Sequence, residues 1–134
     1  MGLEVRRVGE HHFVGSNGRG AEVPVGRKGQ DGVFSPSELL QVAAAACAAV
    51  TGEQLITRRV GEDSEFRVEV SANQHEGAHE LAGVHVQFDV DLSALDMEQR
   101  VALAEAVDRA VDRLCTVSRT LRRGVPVTEQ FPLD

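Results

Sequence analysis

A chain of 134 residues with a net charge of −7 has the length of one domain, taken here as 1–134, and an acidic surface. That balance excludes the basic footprint that nucleic acid requires and argues against binding to anionic membranes. With 42% hydrophobic residues, no Trp, no Tyr and five Phe, the core must be built from Val, Leu and Ala, and an aromatic-poor core of this kind is often completed by oligomerisation. No apolar run approaches the ~20 residues that span a bilayer, and MGLEVRRVGEHHF at the start has no signal-peptide core, so a cytoplasmic protein is expected. The two cysteines are then more in keeping with catalysis, sensing or inert packing than with a permanent disulfide.

Residues 3–9 and 11–15 read as short strands of a meander, separated from a third by the turn-rich GSNGRG at 15–20. AEVPVG (21–26) alternates like a strand, with Pro24 pointing to an edge, and RKGQDG (27–32) is a polar loop. The first helix has a clear start. Ser35 suits the N-cap, Pro36 the first helical position and Glu38 the third, which makes Ser-x-x-Glu a capping box. Leu40, Ala43, Ala44, Cys47 and Thr51 then share one face; Gly52 is a possible end, though the pattern can run to Ile56.

EFRVEVSA (65–72) and GVHVQFDVDL (83–92) alternate strongly and predict two antiparallel strands, each with one wet face, joined by the polar link NQHEGAHELA. A second helix begins near Asp96, where Asp96 and Gln99 repeat the capping spacing, and its stripe is Leu103, Val107, Ala110, Val111 and Leu114. Cys115 follows at once. TVSRTLRRG (116–124) predicts a short helix stopped at Gly124, and VPVTEQF (125–131) a last strand.

Few residues offer chemistry. HEGAH (75–79) matches H-E-x-x-H, but that motif holds zinc only on a helix, where the two His lie one turn apart; in a link between strands it reads as a solvated loop, and no metal site is expected. His11 and His12 are neighbours and would face opposite ways on a strand, and His85 falls on the polar side of its own. GSNGRG lacks the G-x-G-x-x-G spacing and the helix that a dinucleotide site needs, so Arg19 matters only if its turn folds over a site. Cys47 and Cys115 remain. A buried thiol in apolar surroundings is inert filler. A reactive one needs its pKa lowered from near 8.5, for which a cation such as Arg19 or Arg119 would serve. The residues alone leave both readings of Cys47 open.

SPSELLQVAAAACAAV, followed ~70 residues later by LCTVSRTL, resembles the OsmC/Ohr family of thiol-dependent peroxidases. That family shows an Asn/Ser-Pro-x-Glu-Leu helix start, a cysteine about ten residues along the helix, and a second cysteine in a Cys-Pro/Thr-Val-Ser/His-x-x-Leu segment after the second long helix. The order of elements agrees over nearly the whole chain.

The resemblance implies an α+β fold, with antiparallel sheets wrapped around two long central helices in an intertwined homodimer. It implies a narrow apolar pocket suited to organic hydroperoxides, with Cys47 as the peroxidatic thiolate and Cys115 resolving its sulfenic acid as a disulfide. No bound cofactor is expected; an external dithiol, of lipoyl or thioredoxin type, would reopen the bridge. Arg19 matches the turn arginine that stabilises the thiolate, and Glu38 the acid near the helix start. One departure stands out. Catalytic members carry Glu directly after the proline, where this chain has Ser37. Neighbouring helix residues point about 100° apart, so Glu38 cannot simply replace it. Arg19 would need another holder, such as Glu22, or the chain would be a weak peroxidase acting as a thiol sensor or small-molecule binding protein.

Overall fold

The computed structural model describes residues 2–133. The elements run β1 (Glu4–Gly9), β2 (His12–Ser16), β3 (Glu22–Val25), α1 (Pro36–Val60), β4 (Arg67–Gln74), β5 (Leu81–Asp89), α2 (Met97–Leu114) and α3 (Thr116–Arg123). Helices and antiparallel sheets are thus both present, in the α+β manner that the resemblance implies. The chain divides after Ala43 into two compact units, and α1 runs across the division.

In the first unit, β1, β2 and β3 form an antiparallel sheet in that order. Glu10 and His11 make the tight turn between β1 and β2. His11 takes φ 57°, the left-handed region such a turn requires and which His tolerates better than most residues. Pro24 pairs with Val14 on the outer strand β3, where its missing N–H costs little. Arg6 lies 3.5 Å from Glu22, an exposed ion pair worth at most about 1 kcal/mol.

The second unit is built on the β4–β5 hairpin and the two longer helices. Register pairs Val68 with Phe88 and Val70 with Val86, which sets the apolar residues of both strands on one face, as their alternation predicts. Phe66 and Phe88 stack with ring centroids 6.4 Å apart. Ile56, Leu95, Leu103 and Val107 form the buried centre, and Leu55, Phe66, Phe88, Val90 and Val111 close around it. Asp96 starts α2 with a complete capping box: its Oδ1 accepts from Gln99 N–H at 2.8 Å, and Gln99 Oε1 accepts from Asp96 N–H at 2.9 Å. Asp96→Ala is expected to cost about 1 kcal/mol in urea unfolding, while Glu98→Ala, outside the box, costs less.

Four expectations need correction. The first helix does not stop at Gly52 but continues to Val60. A Cβ on Gly52 would come 3.4 Å from Val107 and 3.6 Å from Phe88, so this glycine marks close packing rather than a terminus. Its buried edge is Ala44, Ala45, Ala48, Gly52 and Ile56, whereas Leu40 is 41% exposed. The stripe of α2 ends early, with Leu114 70% exposed. The last strand is absent: Gly124 closes α3 at φ 73°, and residues 125–133 adopt no regular structure, with Val127 and Phe131 open to solvent and no strand edge paired to them among the described residues. By length and mean composition α1 would suffice to cross a membrane, although polar residues interrupt its apolar run, as the sequence reading has it.

Candidate functional site

The segment Leu114–Cys115–Thr116 is where α2 ends and α3 begins, and Cys115 serves both helices. Its N–H donates to Val111 O at 3.1 Å, closing α2, and its carbonyl accepts from Arg119 N–H at 3.0 Å, opening α3. The Arg119 guanidinium donates to Asp112 O at 2.7 Å, and Arg122 pairs with the Asp112 carboxylate at 2.8 Å. These contacts fix the corner between the two helices. They also engage Arg119, one of the cations that the sequence offers for thiolate stabilisation.

Cys115 is 0% exposed, and Cys47, on α1, is half-buried; both thiols are free. Cys115 Sγ lies 3.2 Å from Ser118 Oγ, a hydroxyl that accepts from the thiol and can donate to the thiolate. Burial pushes the Cys115 thiol up. That rise is outweighed by hydrogen bonds from the Cys47 side chain, the Ser118 hydroxyl and the backbone N–H groups of Ser118 and Val117, so it sits below the ordinary thiol value. Two cysteines far apart in sequence thus both lie in the second unit. One is accessible, and the other is buried at a helix N-terminus.

The other two candidate residues lie in the first unit. Glu38 is held in the capping box: Ser35 N–H donates to its Oε1 at 2.9 Å, and its own N–H donates to Ser35 Oγ at 3.2 Å. Ser37 Oγ accepts from Gln41 at 3.3 Å. Arg19 stands at the exposed turn between β2 and β3, its N–H donating to Asn17 Oδ1 at 2.8 Å, and its guanidinium has no ion pair among the described residues. Glu22, the alternative holder, is paired with Arg6. The residue that sequence reasoning missed is Ser118. Its signal was available: Cys-x-x-Ser places the hydroxyl at the third helical position, the usual spacing for a side chain to meet the cap.

The histidines of HEGAH lie in the link between β4 and β5, where Ala78 N–H donates to His75 O at 3.1 Å in a turn rather than a helix. Among the described residues no three His, Cys, Asp or Glu side chains gather as a metal site would require.

The chain thus carries one free thiol on α1 and one at the α2–α3 corner, in an α+β arrangement with two antiparallel sheets. The family model for OsmC-like proteins matches residues 29–130, and the chain belongs to that family. It is 38% identical over 125 residues to an uncharacterized protein of Mycobacterium tuberculosis, covering 93% of this chain and 91% of the relative. Among solved structures it is similar to an OsmC like protein from Mycoplasma pneumoniae, with a TM-score of 0.68 and 12% identity over 90% of this chain and 85% of that one. It is also similar to the organic hydroperoxide resistance protein OhrB of Bacillus subtilis, with a TM-score of 0.53 and 23% identity over 91% of both chains. At these identities the structural likenesses establish the fold.

Proposed function

We propose that this chain is a cytoplasmic, homodimeric thiol peroxidase, a single OsmC-like domain that reduces organic hydroperoxides in defence against oxidative stress. The observation that carries the reading is the presence of two free thiols in one unit, Cys47 half-buried on α1 and Cys115 buried at the α2–α3 corner. The half-buried Cys47 thiolate attacks the distal oxygen of the hydroperoxide. The O–O bond breaks, the alkoxide leaves and takes a proton as the alcohol, and Cys47 becomes a sulfenic acid. Cys115 Sγ then attacks the sulfenic sulfur, water leaves, and a disulfide forms. An external dithiol reopens it by exchange.

Family membership supports this reading, as does the fold shared with a protein named for organic hydroperoxide resistance. A dimer is favoured by the apolar surface that one chain leaves uncovered. Only 28% of the most apolar window of α1 is buried, and Val50 is 76% exposed.

A second reading is a thiol sensor or small-molecule binding protein on the same fold. It is favoured by Ser37 in place of the usual acid and by the capping role that occupies Glu38. Intact mass of the reduced protein after one equivalent of cumene hydroperoxide tests the first reading. The expected result is rapid loss of two hydrogens, mapped to a Cys47–Cys115 bridge and faster than with hydrogen peroxide. An unchanged mass defeats it. Oxidation without recycling by a dithiol leaves the sensor.

A further inference from the structure

We infer that Ser118 is a positioning residue that holds Cys115 as the leaving group when the Cys47–Cys115 bridge is reopened, directing the external dithiol onto the Cys47 sulfur. The inference rests on the bridge of the proposed function, but not on what oxidises the thiols. Three observations carry it. Cys115 is 0% exposed while Cys47 is half-buried, so an incoming thiolate meets the Cys47 sulfur first. The Ser118 hydroxyl lies 3.2 Å from Cys115 Sγ, positioned to donate as charge develops there. The sulfur also sits at the start of α3, and the polar groups around it hold the thiol below its ordinary range despite burial.

Exchange is faster when the departing thiol is more acidic, and it proceeds at the sulfur that can be reached. Both rules select the same direction here. One thiolate of the reductant attacks Cys47 Sγ and forms a mixed disulfide. The Cys47–Cys115 bond breaks, and its electron pair leaves on Cys115 Sγ. The second thiol of the reductant then closes on the first and releases Cys47 as a thiolate. The reductant loses two electrons and the bridge gains them. The charged groups at this corner are largely engaged with one another, Asp112 with Arg122 and the Arg119 guanidinium with the Asp112 carbonyl, which leaves Cys47 as the titratable neighbour from α1.

The test isolates Cys115 in the Cys47→Ser variant and follows its ultraviolet thiolate absorbance against pH, alone and with Ser118→Ala or Ser118→Thr added. Ser118→Ala is expected to lower the ionised fraction at a given pH by on the order of tenfold, and threonine, which keeps the hydroxyl, restores it. In parallel, the Ser118→Ala single variant is oxidised with diamide and opened with a coloured monothiol. The expected result is opening several-fold slower than in the parent protein, whose adduct maps to Cys47. An unchanged titration in Ser118→Ala overturns the inference, as does an adduct on Cys115. A change in melting temperature alone, with the titration intact, assigns Ser118 to packing and also overturns it. Neither readout uses a peroxide, so a protein that shows both effects yet turns over no hydroperoxide keeps this inference and loses the peroxidase reading.

Discussion

Cys47→Ser is expected to abolish consumption of organic hydroperoxide, lowering turnover on the order of a thousandfold or more, because a serine hydroxyl cannot form the sulfenic acid that starts the cycle. Cys115→Ser is expected to behave differently. It should consume one equivalent of peroxide, accumulate a sulfenic acid that dimedone traps at Cys47, and then stop for want of a resolving thiol. The asymmetry follows from exposure: Cys115 is wholly enclosed, and Cys47 is the thiol a substrate can approach. Steady-state assays of both variants with cumene hydroperoxide and a dithiol decide the matter. Full activity in Cys47→Ser would remove the chain from peroxidase chemistry at this site. An inactive parent that still forms the bridge with diamide would favour the sensor.

Ile56→Ala is expected to cost about 2–5 kcal/mol in denaturant unfolding, the range for emptying a well-packed aliphatic site. Ile56 is 2% exposed and packs with Leu95, Leu103 and Val107, so it joins α1 to α2 in the second unit. Glu53→Ala, three positions earlier on the same helix and exposed, provides the control and should be nearly neutral. A loss below 1 kcal/mol for Ile56→Ala would mean that this centre relaxes around the gap.

Much of the second unit was legible because its signals are local. The alternation in β4 and β5 fixes which side of each strand is wet, and Asp96 with Gln99 marks the region where α2 starts. The misreadings came where partners lie far off in sequence. Gly52 resembles a helix end until Phe88 and Val107 are seen packed against it. VPVTEQF resembles a strand because alternation records a face but says nothing of whether an edge exists to receive it. Within the site, the two thiols were found from sequence and family resemblance. Ser118 was missed although Cys-x-x-Ser gives the spacing, because that spacing gains its meaning only with the sulfur seen 3.2 Å from the hydroxyl. The acid and arginine expected beside Cys47 came from the resemblance alone, and the helix cap by itself accounts for Glu38.

Cys115 ends one helix and begins the next with the same peptide groups. Its backbone torsions are therefore committed before any oxidant arrives. Fixing a loop residue in place ordinarily consumes about 1–2 kcal/mol of chain entropy, and a disulfide anchored on a floppy segment would meet that loss in every catalytic cycle. If the proposed bridge forms, one of its ends is already set by two helix termini, and the adjustment needed to join the sulfurs falls on the Cys47 side chain.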